Sequence, residues 1–270
     1  MGKLLAVVIT YYPDKELLLR NINAFLTHVD KVLIWENTPT PESEKYRFIT
    51  GDQIEYQTRG YNVGISVALN YSLKYAQSQG YEYILTMDQD SCFENFKTYR
   101  EKAISKLQIE ESIIGPIINA DTLKDEFSSI STYIITSGVF ARVSTLLSIG
   151  GYCEEFKVDA IDLELCLRAH ANNIPIYRYL GCQLIQQFGT PDEIIIFGRK
   201  IVTCGYSPFR LFGIFRNHII TYRRYNHSPY VFNLIKIYYR HLIPGIICID
   251  KDKFKKLWAI IKGTYKGLTY

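Results

Sequence analysis

Asp88 and Asp90 stand two residues apart at the end of an apolar run, in the stretch Tyr81-Glu-Tyr-Ile-Leu-Thr-Met-Asp-Gln-Asp-Ser91. Aromatic and aliphatic residues in such a run read as a buried strand. In an open α/β sheet, ligands collect beyond the carboxyl ends of strands. Two carboxylates there suit a hard divalent cation, which takes one or two protein carboxylates and completes its shell with substrate phosphate oxygens. The plain alternative is an acidic turn that closes a strand, since Asp is a common turn residue.

A second acidic cluster, Asp159-Ala-Ile-Asp162-Leu-Glu164-Leu-Cys-Leu-Arg168, follows the Gly150-Gly151 break and heads an apolar helix. Acids in a first turn complement the helix dipole, and Asp159 fits such a capping role. Asp162 and Glu164 alternate with Ile161, Leu163 and Leu165. A carboxylate partly buried in that pattern has a raised pKa and can work as a general base. One acidic group for a metal and another for a base suit a displacement at a nucleotide-activated carbon. The metal neutralises a departing diphosphate, and the base takes the proton of an incoming hydroxyl.

The elements that would position these groups alternate. Leu4–Thr10 is a continuous apolar run, the pattern of a strand buried on both faces of a parallel sheet. Pro13-Asp14 opens a helix carrying Leu18, Ile22 and Phe25/Leu26. Strands are expected at Val32–Trp35 and Ile54–Tyr56, then a helix with Val67/Ala68, Tyr71/Ser72 and Tyr75/Ala76 on one side, then the strand ending at Asp88. Alternation of this kind means parallel βαβ connections. Beyond it the pattern predicts a helix over Phe96–Ile109, strands over Ser112–Ile118 and Ser131–Gly138, a helix over Ala160–Asn172 and a short strand over Ile174–Arg178.

A chain of 270 residues holds one large α/β domain with an appendage. Its charge is divided unevenly. From Arg199 to Tyr270 fourteen Lys/Arg face two acids, an excess of twelve positive charges, whereas residues 1–198 carry an excess of eight negative ones. We therefore expect a catalytic domain over 1–198 and a basic, aromatic helical region over 199–270. The basic region suits an anionic surface, and a membrane ranks ahead of nucleic acid because no nucleic-acid module is present. Six cysteines without a Cys-x-x-Cys pair argue against structural zinc and for a reducing compartment. The N-terminal apolar run lacks a cleavage site and reads as a core strand rather than a signal peptide. No stretch approaches the roughly 20 apolar residues of a transmembrane helix. On a helix through Lys253–Lys266, Phe254, Leu257/Trp258 and Ile261 form an apolar stripe, with Lys255, Lys256, Lys262 and Lys266 mostly off it. Such a helix lies on a membrane, or packs on the catalytic domain or on a second subunit; both readings stand at this point.

In order along the chain, the motifs resemble those of the inverting nucleotide-diphospho-sugar glycosyltransferases of family 2, and within them the bacterial rhamnosyltransferase group. Val7–Pro13, with Thr10 and Tyr11, is similar to the opening strand and loop that hold the nucleotide base. Ile34-Trp-Glu-Asn37 falls where the family has Val-Asp-Asn/Asp, with Glu36 in place of Asp. Asn62-Val-Gly64, with Arg59 beside it and Asn70 further on, resembles the Asn-x-Gly element near the nucleotide. Met87-Asp-Gln-Asp-Ser91 is close to the Leu-Asp-Gln-Asp-Ser form of the metal motif, which implies Asp90 as principal ligand of Mg²⁺ or Mn²⁺ and Asp88 at the ribose or assisting. Ser137-Gly138 and Gly150-Gly151 fit the acceptor-side strand and loop. Ile161–Arg168 resembles the acidic helix start in which the residue matching Asp162 is the base, with Glu164 supporting. Gln186 stands where relatives carry a metal- or diphosphate-binding His. Ser207-Pro-Phe-Arg210 and Arg216-Asn217 resemble a segment of the rhamnosyltransferase group, and Arg210 and Arg216 could each clamp an acceptor diphosphate.

The resemblance spans roughly residues 4–225. It implies a GT-A-like fold, Rossmann-like, with a mixed, mostly parallel sheet flanked by helices and a helical C-terminal extension. It also implies transfer of a sugar, rhamnose from dTDP-rhamnose first, to a glycan or lipid-linked acceptor. Such an enzyme would work in the cytoplasm or peripherally on the inner face of the plasma membrane, alone or as a homo-oligomer. A UDP-hexose or galactofuranose transferase of the same fold, and a non-catalytic nucleotide-sugar or glycan-binding module, are the alternatives.

Overall fold

A computed structural model describes residues 2–186, 192–196 and 198–270, and these fall into two compact units. The first runs to Lys157 and resumes over Ile161–Gln186; the second comprises Val158–Ala160 and the described residues beyond Gln186.

The first unit is built on one sheet. Its elements are β1 (Leu4–Thr10), α1 (Lys15–Asn23), β2 (Lys31–Glu36), β3 (Ile54–Thr58), α2 (Ile65–Ser78), β4 (Tyr83–Asp88), β5 (Cys92–Phe93), α3 (Phe96–Ile109), β6 (Ile113–Ile118), β7 (Phe127–Ser129), β8 (Val139–Arg142), α4 (Val143–Ser148), α5 (Ile161–Ala171) and β9 (Ile176–Ile185). The strand order is β3-β2-β1-β4-β8-β6-β9-β5, with β7 on β9. β3, β2, β1 and β4 pair in parallel; β8 runs antiparallel between β4 and β6, and β6 pairs with β9 in parallel. The long parallel strands thus end on one edge. Thr10 is in register with Glu36, and Ile9 with Asp88.

The apolar runs dictate this. Leu4 to Val8 are wholly buried, as a strand covered on both faces requires. Asp14 caps α1 by accepting from the Leu17 N–H at 2.9 Å. Phe25, Phe96, Tyr99, Phe140 and Tyr179 fill the core on one side of the sheet, while Trp35, Val63 and Ala68 join a smaller cluster under α2.

Two expectations need correction. Residues 131–138 form no strand; the strand follows the Ser137-Gly138 turn, as β8. The earlier segment bonds across β4 instead: Thr86 Oγ1 donates to the Thr136 carbonyl at 2.6 Å, and the Gly138 N–H to the Thr86 carbonyl at 2.7 Å. The strand expected over Ile174–Arg178 extends to Ile185, because β9 shifts register against β6 between Pro116 and Ile117, so that Tyr179 and Gln183 oppose consecutive residues. That bulge carries the strand on to Gln186 at the carboxyl edge.

The second unit has a hairpin, β10 (Asp192–Ile196) and β11 (Arg199–Thr203), and three helices, α6 (Pro208–Arg224), α7 (Pro229–Cys248) and α8 (Lys253–Leu268). Its core includes Leu211, Ile214, Phe215, Leu242, Ile246 and Ile260. No helix among the described residues is long and apolar enough to cross a membrane.

Candidate active site

The carboxyl edge of β4 ends in Asp88, and Gln89 and Asp90 form the turn beyond it. Three neighbours fix that turn. The Asp88 N–H donates to Ser137 Oγ at 3.1 Å, and Asn21 Nδ2 donates to the Asp88 carbonyl at 2.5 Å. The Gln89 side chain accepts from the Tyr11 N–H at 2.7 Å and donates to the Tyr11 carbonyl at 3.3 Å, tying the β1 loop to the motif.

Gln186, one residue past β9, donates from Nε2 to Asp88 Oδ2 at 3.1 Å. Its backbone is clamped by Asn119 at the end of β6: the Gln186 N–H donates to Asn119 Oδ1 at 3.0 Å, and Asn119 Nδ2 to the Gln186 carbonyl at 2.8 Å. With Nε2 committed to Asp88, Gln186 Oε1 is buried without a hydrogen-bond donor. An orphaned buried acceptor is costly unless something fills it. Asp90 is partly buried, and desolvation pushes its carboxyl above the usual range. A divalent cation would compensate either feature, and Asp88, Asp90 and Gln186 are the side chains here that would hold one. Among the described residues no three His, Cys, Asp or Glu side chains gather to hold a metal unaided. A cation here would need oxygens from a bound diphosphate to complete its shell. The rest of the expected run, Gln187-Phe-Gly189, lies outside the described residues.

The β1–β2 end is a polar lattice. Thr10 Oγ1 donates to Glu36 Oε2 at 2.9 Å, and Glu36 Oε1 accepts from the Thr38 N–H at 2.7 Å; Glu36 is buried. Asn37 Oδ1 accepts from Trp35 Nε1 at 3.1 Å and from the Val63 N–H at 3.2 Å, joining the β2 loop to the Asn62-Val-Gly64 element. Asn62 Oδ1 accepts from the Gly64 N–H at 2.9 Å, a local turn that leads into α2. Gly64 has φ 89°, the left-handed region that favours glycine, and a Cβ there would also stand a tight 3.1 Å from Lys157 Cα. Arg59 is exposed, 5.7 Å from the centroid of Tyr71, which in turn packs on Trp35. Tyr11 is exposed.

The second acidic cluster separates into different roles. Asp162 is partly exposed on the first turn of α5, with Oδ1 accepting from the Leu163 N–H at 2.8 Å. Glu164 is buried, and both of its oxygens accept from Arg168, at 3.2 and 2.7 Å. Arg168 also donates to the Ile149 and Gly151 carbonyls at 2.6 and 2.7 Å, so the pair staples the Gly150-Gly151 loop to α5. Asn70 holds the same loop from the other side, accepting from the Tyr152 N–H and donating to its carbonyl.

Asp159 is held within its own unit. It adopts φ 56° within the second unit and pairs there with Arg210, whose Nη2 lies 3.2 Å from Oδ1. Burial raises the Asp159 carboxyl, and Arg210 opposes the shift. Arg210 also lies over the Tyr206 ring at 4.3 Å. Asn217 is buried on α6, donating to the Val158 carbonyl at 2.8 Å and accepting from Arg216 at 2.9 Å.

Of the expected residues, the structure joins Asp88 to Gln186 and Thr10 to Glu36, and brings the Asn62 element to the β2 loop through Asn37. Arg210, Arg216 and Asn217 belong to the second unit. Sequence reasoning passes over the roles of Gln89 and Asn119. Gln89 sits inside the motif, where attention to carboxylate spacing passes over an amide; Asn119, a polar residue directly after an apolar strand, was the available signal at β6.

A mixed, mostly parallel sheet with an acidic motif at the carboxyl edge of its central strand is the GT-A arrangement, and solved glycosyltransferases match it. A mannosyltransferase from Pyrobaculum calidifontis, in complex with GDP-Man and Mn²⁺, superposes with a TM-score of 0.61 at 11% identity, covering 98% of this chain and 74% of that one. S. aureus TarS 1-349 with UDP-GlcNAc gives 0.59 at 13% identity, covering 97% and 81%. GalNAc-T7 with UDP, GalNAc and Mn²⁺ gives 0.59 at 10% identity; all of this chain is covered, and it spans 58% of the length of that protein. No family model matches the sequence. The chain has the GT-A fold of these glycosyltransferases. Within that class its sequence is similar to the dTDP-rhamnosyl transferase RfbF of Shigella flexneri, 24% identical over 293 residues, covering 97% of this chain and 94% of the relative.

Proposed function

We propose that the chain transfers rhamnose from dTDP-rhamnose to a hydroxyl of a growing cell-surface polysaccharide or lipid-linked glycan, with inversion at the anomeric carbon. The observation that carries the donor is the end-to-end similarity to a dTDP-rhamnosyl transferase. In this reading the β1–β2 lattice around Thr10, Tyr11, Glu36, Arg59, Asn62 and Gly64 receives the nucleoside. Glu36 is spent on Thr10 and the Thr38 N–H, so it shapes the base pocket rather than reaching into it. Asp88, Asp90 and Gln186 would hold Mg²⁺ or Mn²⁺, which would supply charge neutralisation for the departing dTDP.

Asp162 takes the proton from the acceptor hydroxyl as its oxygen forms the new bond to the anomeric carbon and the bond to the diphosphate oxygen breaks. Glu164, held on Arg168, keeps the helix start and the Gly150-Gly151 loop in place for the acceptor side.

The test is dTDP release from dTDP-rhamnose with Mn²⁺ or Mg²⁺, with the anomeric configuration of the product read by NMR. Asp90→Asn should abolish turnover and the metal dependence of dTDP binding. Preference for a UDP-hexose would overturn the donor assignment, and a retained configuration would overturn the single displacement.

A further inference from the structure

Helix α8 has two opposite faces, and only one of them is used within the chain. Lys256, Ala259, Ile260, Gly263 and Gly267 are buried. The glycines let the helix lie against α6: a Cβ on Gly263 would stand 2.5 Å from the Phe212 carbonyl oxygen, and one on Gly267 2.9 Å from that of Arg216. Lys256, expected among the solvated lysines, is instead inside; it pairs with Asp250 at 2.6 Å, and Asp250 accepts from Thr203 at 2.9 Å.

The other face carries Phe254, Trp258, Ile261, Tyr265 and Leu268, all between 56 and 90% exposed. Their spacing of four and three residues, at about 100° per residue, places the five within about 80° of arc, opposite the buried face. Five large apolar side chains in one exposed row are more than scattered surface hydrophobics. Lys255, Lys262 and Lys266 are exposed along one flank of the row, with Lys262 5.4 Å from the Trp258 ring centroid.

Charge decides the occupant. The row has the spacing of a coiled-coil seam, so a second copy is the first candidate. No acid occurs from Lys253 to Tyr270, however, so in an antiparallel pair the lysine flanks would meet each other, and in a parallel pair they would meet Leu257 and Thr264. Neither arrangement answers the lysines, whereas an anionic lipid surface answers lysines and apolar row together.

We propose that α8 docks this chain on an anionic membrane surface, with Phe254, Trp258, Ile261, Tyr265 and Leu268 inserted at the level of the headgroups and Lys255, Lys262 and Lys266 on the lipid phosphates. The proposal does not rest on the transfer reaction, because binding is read without donor or turnover.

The chain provides its own probe. It has two tryptophans; Trp35 is 1% exposed, so a change of emission on adding vesicles reports Trp258. Full-length protein is titrated with phosphatidylcholine vesicles, with and without phosphatidylglycerol. A blue shift with the anionic vesicles only, weakened by salt, is expected. Phe254→Ser with Ile261→Ser, at exposed positions, should lower the partition coefficient at least tenfold while the thermal melt is unchanged. Lys262→Glu with Lys266→Glu should lower it by more than about 25-fold, since each lysine near an anionic leaflet is worth about fivefold. The proposal is overturned by unshifted Trp258 emission, by undiminished vesicle binding in the Phe254/Ile261 variant, or by a dimer in ultracentrifugation that this variant dissociates.

Discussion

Glu164→Gln and Asp162→Asn should fail in different ways, although the two acids lie two residues apart. The Glu164 carboxylate is buried and accepts from Arg168 with both oxygens. The amide keeps the shape and one acceptor but removes the charge opposite the guanidinium. Breaking a buried ion pair from one side costs about 3–5 kcal/mol. Arg168 is one-fifth exposed and keeps its bonds to the Ile149 and Gly151 carbonyls, so the lower end applies, about 3 kcal/mol. For a domain of this size that is a fall in Tm of about 6–12 °C. Asp162 is partly exposed, and its bond to the Leu163 N–H survives as an asparagine carbonyl. Asp162→Asn should therefore leave stability within about 0.5 kcal/mol while slowing transfer roughly 10²–10⁴-fold, the worth of a positioned base. Calorimetry gives the first quantity, and kcat measured well below the lowered Tm gives the second. A Glu164→Gln variant that melts like the parent yet is inactive, beside an active Asp162→Asn, would refute the division of roles.

Two further outcomes follow from buried groups. Gln186→Ala leaves Asp88 Oδ2 without its amide donor and removes the orphaned carbonyl; Mn²⁺ affinity in the presence of dTDP, by calorimetry, should fall about 10–100-fold, and an unchanged affinity would remove Gln186 from the site. His218 is buried on α6 with Nδ1 2.8 Å from the Ile214 carbonyl, and burial pulls its pKa down to about 4. Since the folded value lies below the unfolded one of about 6.5, protonation favours unfolding; stability is full above about pH 6.5 and declines toward pH 4, by roughly 2–3 kcal/mol at pH 4.5. Urea titrations of the parent and of His218→Gln should show that difference in the parent only; an equal pH dependence in both would assign it elsewhere.

Periodicity located the sheet because burial writes itself into composition: Leu4–Val8, Val32–Trp35 and Tyr83–Met87 are apolar runs that can only be covered on both faces. It failed at 131–138, where Tyr133, Ile134 and Ile135 look like strand but Thr136 and Ser137 are bonded across β4. It also shortened β9, since the bulge opposite Pro116 and Ile117 depends on a neighbouring strand that local pattern does not contain. The buried Lys256 belongs to the same kind of failure. On a helix diagram it sits with other lysines, and only Asp250 and Thr203, brought in by the turn before α8 and by β11, show that it faces inward.

For the site, spacing found the carboxylates, but partners sort them. Glu36 is held by a hydroxyl and an N–H, Glu164 by Arg168 and Asp159 by Arg210, and each of these is occupied within the fold. Asp90 differs: burial raises its carboxyl, and among the described residues no cationic side chain compensates it. A buried carboxylate without a compensating charge, like a buried carbonyl oxygen without a donor, lowers stability unless something that arrives with the substrate answers it. The uncompensated carboxyl of Asp90 is what a bound cation would answer, and motif spacing alone does not show it.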